Sequence, residues 1–136
     1  MPYILTHHGI CLDGFAGPVH YPGVVIREPE LSALPLKQTE AFAPENFEWT
    51  ADSHAEYFQS PIKKAKELGL PLYCGEFGCC TNVPRDIRLR WHTDVVRALE
   101  SCDIGWGSFA HNGLWQTVFN DRDVDLEMVK ALGVTR

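Results

Sequence analysis

An α/β fold with parallel strands is predicted from three observations. From residue 51 onward, helical and strand patterns alternate along the chain, the order that builds βα units and a parallel sheet. One strand, residues 70–75, is a short apolar run that stops at a single carboxylate, Glu76, set among glycines. The helix after it carries Trp91, Val95, Ala98, Leu99 and Cys102 at i, i+4, i+7, i+8 and i+11, the stripe of a helix packed on a core.

The elements follow in order. Residues 1–50 hold six of the nine prolines and no sustained period, so they read as a long irregular segment. Structureless loops of that length are uncommon in compact domains and are often functional. Ser53-x-x-Glu56 resembles a capping box and predicts a helix that Pro61 interrupts. Ser60-Pro61 then reads as an N-cap and N1 pair that restarts it. The restarted helix carries Ile62, Ala65 and Leu68 and ends at Gly69, a glycine suited to the left-handed C-terminal position. The strand at 70–75 and a loop at 77–84 come next. A second helix starts near Pro84 or Asp86. Residues 104–110 read as another strand, weakened by Gly105 and Gly107. A loop covers 112–123, and Asp125 or a neighbour caps a last helix carrying Met128, Val129 and Leu132. Two parallel strands make a poor free-standing sheet, because parallel sheets need cover on both faces. Either the first 50 residues hide strands or the chain is part of a larger α/β fold.

Charge and composition remove several functional classes. A formal net charge of −6 argues against a nucleic-acid or anionic-membrane partner, either of which wants a basic patch. The densest basic run, Lys63-Lys64-Ala-Lys66, lies beside Glu67 and reads as a solvated helix face. No run approaches the roughly 18 apolar residues of a membrane span. The N-terminus lacks the basic and long apolar regions of a signal peptide. The five cysteines form no C-x-x-C pair, and their odd number excludes complete internal pairing, so the compartment stays open.

The chemistry centres on Glu76. A buried strand has no structural need for a carboxylate at its tip, and one there is costly unless hydrogen-bonded, paired or used. The C-terminal ends of parallel strands are where α/β folds place their chemistry. The competing structural explanation is a strand-end glutamate turned to solvent.

At this point the residues resemble a known family. Leu70-Pro-Leu-Tyr-Cys-Gly-Glu-Phe-Gly78 resembles the strand-seven motif of the family 5 glycoside hydrolases, the cellulase family, where a G-E-F-G-type signature carries the nucleophile. Pro2-Tyr-Ile-Leu-Thr-His-His-Gly9 resembles the P-F-x-F-T-H-Q-G stretch after strand six, and His20-Tyr-Pro-Gly23 the Y-P-G that follows. Arg90-Trp-His-x-Asp94 resembles helix seven, Ile104-Gly-Trp106 the start of strand eight, and Val124-Asp125 through Leu132-Gly133 the last helix. Each motif is short; their shared order and spacing carry the resemblance.

The resemblance implies a partial (β/α)8 TIM barrel. Residues 1–136 would supply its C-terminal part, from the loop after strand six through helix eight, with 1–50 as the loop segment and 51–136 as the βα units. A whole barrel takes about 250 residues. The family's strand-six His-x-Tyr pair is expected just before Met1, on a missing N-terminal barrel segment that would be a partner. The implied reaction is hydrolysis of an O-glycosidic bond in a β-glycan by a retaining double displacement. Two carboxylates about 5–5.5 Å apart do this work. Glu76 is the implied nucleophile. The acid/base partner sits in an Asn-Glu-Pro motif in the family, and no such motif occurs here. Arg27-Glu28-Pro29 is the nearest string, and Glu28 reads as a loop carboxylate. The chain alone is therefore expected to have little or no hydrolase activity.

By the same resemblance His7 and His8 would line the cleft; the competing reading is that these loop histidines are simply exposed. At strand eight, Phe109 stands where the family has a second Trp and His111 where it has a Tyr; Trp115 in the following loop is a substitute platform for a sugar face. For Trp91 and Trp106 core packing is the better reading. No cofactor or resident metal is implied, and the expected ligand is an oligo- or polysaccharide. Three rivals remain: a zinc set of Cys74, Cys79, Cys80 and one of His7, His8 or His111; a Cys79 or Cys80 nucleophile activated by a histidine; and a non-catalytic barrel fragment or interaction module.

Overall fold

The structure, a computed structural model, describes residues 3–10, 15–120 and 123–134. Its elements are α1 (Tyr3–Thr6), β1 (Gly23–Val24), α2 (Glu30–Ala33), α3 (Leu36–Phe42), β2 (Glu48–Trp49), α4 (Ala51–Tyr57), α5 (Gln59–Leu68), β3 (Tyr73–Phe77), α6 (Arg85–Ser101), β4 (Gly105–Ser108), a 3-10 turn (Gly113–Trp115), β5 (Phe119–Asn120), β6 (Asp123–Val124) and α7 (Leu126–Ala131).

The predicted βα alternation is present. β3 and β4 pair in parallel, with Tyr73 opposite Gly105, Cys74 opposite Trp106 and Phe77 opposite Ser108. The register is irregular between Cys74 and Phe77. β3 lies at Tyr73–Phe77, later than the predicted 70–75, so Glu76 is inside the strand and Phe77 ends it. The glycines of β4 have a steric cause. A Cβ on Gly105 would sit 3.0 Å from Cδ2 of Tyr73, and one on Gly107 would sit 3.1 Å from both the Gly75 carbonyl and the Tyr73 hydroxyl. The Tyr73 ring lies across a strand that has no side chains at those two points.

The first 50 residues are less irregular than expected. β1 and β2 form an antiparallel pair, Gly23 opposite Trp49 and Val24 opposite Glu48, which closes this segment on itself. Asn46 fastens it further: its Oδ1 accepts from Ile26 N (2.8 Å) and its Nδ2 donates to Ile26 O (3.0 Å). Glu28 is a loop carboxylate, as expected, and accepts from the Ser32 amide (3.1 Å) and hydroxyl at the start of α2.

The helix boundaries differ in instructive ways. The capping box before α4 is Thr50 with Ser53, not Ser53 with Glu56: Ser53 N donates to Thr50 Oγ1 (3.2 Å) and Thr50 N donates to Ser53 Oγ (2.7 Å). The break falls at Phe58 rather than at Ser60, and Pro61 sits in the first turn of α5, where a missing N–H costs nothing. Gly69 ends α5 with φ 64°, the left-handed position predicted for it. Asp125 caps α7 by accepting from Met128 N (3.1 Å). The segment read as a loop at 112–123 contains the 3-10 turn and, with Val124, the β5–β6 hairpin.

One core joins these pieces. Trp49, Trp91, Phe42, Leu5, Ile26 and Leu99 are its largest fully buried apolar side chains. The α6 stripe is buried as predicted from Trp91 to Leu99, and Cys102 is half-buried at the helix end. Two histidines lie inside. His54 on α4 puts Nε2 3.0 Å from the Tyr21 hydroxyl, and that hydroxyl donates to Asp94 Oδ2 on α6 (2.9 Å). A hydroxyl with its proton committed can only accept, so Nε2 of His54 carries the hydrogen. His92 donates Nδ1–H to the Arg88 carbonyl (2.7 Å). The opposite ring nitrogens, Nδ1 of His54 and Nε2 of His92, have no partner among the described residues. Adding a proton there places a charge in the core, so burial lowers both pKa values to about 4. At the other end of α6, Arg85 grips Asp125 with both terminal nitrogens (2.5 and 2.7 Å), joining α6 to α7.

Candidate active site

Side chains alternate across a strand, and this fixes where Glu76 points. Phe77 is buried against α6, with ring centroids 6.1 Å from Trp91 and 6.0 Å from His92. Glu76 therefore lies on the opposite sheet face from the one α6 covers, and it is exposed at the C-terminal end of a parallel strand. No described side chain donates a hydrogen bond to its carboxylate.

Three segments close around that strand end. Phe109 N donates to Phe77 O (2.8 Å), so β4 continues alongside β3 past its last residue. Cys80 N donates to Thr6 O (2.9 Å), and Thr81 N to Leu114 O (2.7 Å), which ties the loop after β3 to α1 on one side and to the 3-10 turn on the other. Ala110 N donates to Trp115 O (2.7 Å) and Thr117 N returns to Ala110 O (3.0 Å), fixing the turn that carries Trp115. Gly78 is the hinge of this arrangement. A Cβ there would lie 2.1 Å from the Phe109 carbonyl oxygen, a distance no side chain tolerates, and 3.5 Å from Trp115 Cδ1.

The result is a row of rings drawn from distant parts of the chain. Tyr3 stacks on His7 (centroids 3.8 Å apart, planes at 24°), His7 meets Trp115 edge-on (5.4 Å), and Trp115 meets Phe109 (6.1 Å). Three of the five residues expected to bind substrate, His7, Phe109 and Trp115, are thus brought together. Phe109 is exposed and the other two are half-buried.

His8 departs from the expectation. It is buried and edge-on to Phe15 (5.9 Å), and its carbonyl accepts from Asn82 Nδ2 and Cys80 Sγ (both 3.2 Å), so it packs under the loop rather than lining a cleft. Adjacent residues on a helical turn cannot both face one way, and His7 took the open side. His111 is exposed and its ring contact is with Phe119 (4.7 Å), on the β5 hairpin and outside the row. Tyr3 was not among the residues singled out from the sequence. Its i, i+4 spacing from His7 was the available signal, but it required knowing that this proline-flanked stretch is helical.

The cysteine readings lose their basis. Burial pushes the Cys79 thiol far up, which disfavours the thiolate a nucleophile needs. Cys80 is also raised by burial, and its Sγ donates to a carbonyl. Among the described residues no three His, Cys, Asp or Glu side chains converge to hold a metal ion, so Cys74, Cys79, Cys80 and a histidine do not form a zinc set. Trp91 is core, as expected, and Trp106 is half-buried against Phe77 (5.5 Å). The Lys63–Lys66 run is exposed, with Lys64 paired to Glu67 at 3.2 Å. No helix among the described residues is long and apolar enough to cross a membrane.

Comparison with known proteins gives the following. No family model matches the chain. A stretch of 63 residues is 33% identical to Endoglucanase C of Acetivibrio thermocellus; it makes up 45% of this chain and 18% of that protein. In structure, the chain superposes on a glycoside hydrolase with a TM-score of 0.67 at 20% identity, covering 97% of this chain and 38% of the other. It also superposes on Thermotoga maritima Cel5A in complex with cellobiose, with a TM-score of 0.55 at 20% identity over 60% of this chain and 27% of that one. The chain thus spans less than a fifth of the curated relative it matches. Its structural neighbours are cellulase barrel enzymes, and its own α/β unit superposes on part of such a barrel.

Proposed function

We propose that this chain carries the nucleophile half of a retaining β-glycanase site of the family 5 type, with Glu76 as the nucleophile. The observation that carries the proposal is positional: Glu76 projects from the C-terminal end of a parallel strand, on the face away from α6, beside the His7–Trp115–Phe109 row. The similarity to endoglucanases supports it.

In the first step a Glu76 oxygen forms a bond to the anomeric carbon as the bond to the leaving oxygen breaks, and an acid delivers a proton to that oxygen. In the second step water attacks the same carbon, its proton goes to the conjugate base of that acid, and Glu76 leaves as the carboxylate. The acid/base group is a second carboxylate from outside these 136 residues, since Glu28 is engaged by Ser32 and no Asn-Glu-Pro is present. The 136 residues alone form little or no product from an unactivated glycan. The ring row offers apolar faces to pyranose rings, which suits a β-glucan.

The experiment separates nucleophile from acid. A 2,4-dinitrophenyl 2-deoxy-2-fluoro-β-cellobioside has a leaving group that needs no proton. Incubation should attach a fluorocellobiosyl group to the peptide containing Glu76, read by mass spectrometry, and Glu76→Gln should abolish it. An adduct on another carboxylate, or none on the wild type, overturns the assignment. A second reading, a non-catalytic saccharide-binding or interaction unit, is favoured by the lack of a described donor to the Glu76 carboxylate, since active nucleophiles are held by such donors. Cellobiose binding without any adduct is its signature.

A further inference from the structure

We infer that Thr117 is the positioning residue for Trp115: its buried hydroxyl holds the indole at the angle that meets a pyranose face. This rests on the saccharide reading of the site.

The turn that carries Trp115 has little apolar anchorage of its own. Leu114 is 49% exposed, and Trp115 is only half-buried. The indole stands at 64° to the His7 ring and at 54° to the Phe109 ring. Ring contacts of this kind contribute only about 0.5–1.5 kcal/mol each, so the orientation of the indole depends on how firmly its backbone is held.

Hydrogen bonds hold that backbone. The Trp115 carbonyl accepts from Ala110 N (2.7 Å) and from Thr117 Oγ1 (3.1 Å). A carbonyl can only accept, so the Thr117 proton goes to Trp115, and Ser108 Oγ donates to a lone pair of Thr117 Oγ1 (3.1 Å). Ser108 ends β4 and stands opposite Phe77, so one hydroxyl ties the peptide of Trp115 to the strand that flanks Glu76. Thr117 is 3% exposed, and a hydroxyl taken out of water costs free energy unless it is bonded. Here it both donates and accepts. Thr117→Val keeps the shape and the bond from Thr117 N to Ala110 O (3.0 Å), and loses only the two hydroxyl bonds. Thr117→Ser does the reverse: it keeps the hydroxyl and loses the methyl group.

The test reads Trp115 directly. The chain has four tryptophans, and labelling them as 5-fluorotryptophan gives each a fluorine-19 resonance; Trp115→Phe identifies the one from Trp115. Thr117→Val should shift or split that resonance and leave the others in place. Thr117→Ser should keep the wild-type position. Ser108→Ala, which spares the bond to Trp115, should stay closer to wild type than Thr117→Val. Cellobiose should bind about 5- to 10-fold more weakly to Thr117→Val, the loss of about one hydrogen bond, and within about 2-fold of wild type to Thr117→Ser. A packing role alone predicts the opposite order, since the methyl group survives in Thr117→Val and not in Thr117→Ser. Three results overturn the positioning role whatever the sugar does: an unmoved Trp115 resonance in Thr117→Val, a larger shift in Thr117→Ser or Ser108→Ala, or loss of every folded resonance in Thr117→Val. A shifted resonance with unchanged cellobiose affinity overturns Trp115 as a sugar platform. Absence of both cellobiose binding and the Glu76 adduct overturns the glycanase reading itself, while the Trp115 resonance still decides the role of Thr117.

Discussion

The two core histidines, His54 and His92, should make this protein sensitive to mild acid, and His8, also buried and also lowered in pKa by burial, acts in the same direction. His54 and His92 are both neutral inside the core with a pKa of about 4, against 6.5 in an open chain, because burial disfavours the charged ring and the second ring nitrogen has no described partner. Between those two values the unfolded chain binds more protons than the folded one. Stability is therefore full above pH 6.5 and falls as the pH falls toward 4. At pH 5 each histidine costs about 2 kcal/mol and the pair about 4 kcal/mol, a large part of the 5–15 kcal/mol of a typical domain. Urea unfolding followed by tryptophan fluorescence at pH 7 and pH 5 measures this. Trp91 lies against both histidines, with centroids 6.3 Å from His54 and 4.9 Å from His92, so the probe sits at the event. His92→Leu separates the histidine effect from that of surface carboxylates: its loss between the two pH values should be about 2 kcal/mol smaller than that of the wild type. Equal losses in the two proteins, or a wild-type loss under about 1 kcal/mol, would refute the reasoning.

Two further substitutions probe the scaffold of the site. Gly78→Ala forces the Phe109 carbonyl away from β3 and should cost about 1–3 kcal/mol, lowering Tm by several degrees and weakening cellobiose binding through the displaced Phe109–Trp115 pair; an unchanged Tm counts against the close approach. Arg85→Ala removes the grip on Asp125 and should cost about 1–2 kcal/mol by denaturant titration, discounted because Arg85 is partly exposed. Arg85 also holds the Asp125 carboxyl below its usual 3.8, so the wild type draws stability from this pair above pH 3.8 and loses it as the pH falls further; the variant should show a smaller acid-limb loss, keeping the part due to the Met128 amide and Arg88.

Much of the fold was legible where one face of a helix meets one core. The α6 stripe, the Gly69 terminus and the Asp125 cap follow from local rules, and each stands where the sequence put it. The α4 cap was misplaced by three residues because Thr50 and Ser53 are both hydroxyl N-cap candidates, each with a side chain three residues on that can return a hydrogen bond, and only the chain direction entering the helix distinguishes them. The strand was displaced because Leu70 and Leu72 read as strand by composition. Leu70 is left exposed, and pairing with β4 begins at Tyr73.

The sequence by itself determined that this chain is built of βα units, that a carboxylate stands near the end of a parallel strand, and that the chain carries a formal net charge of −6. These are properties of periodicity, charge and short-range rules, and they need no distant contact. Only the tertiary structure decided which side chains share the mouth of that strand. It brought Tyr3 and His7 onto Trp115 and Phe109, buried His8, and sent His111 to the β5 hairpin. The physical reason is that backbone hydrogen bonds between Cys80 and Thr6, and between Thr81 and Leu114, join segments more than 30 residues apart, and no local pattern encodes which carbonyl a loop amide will find.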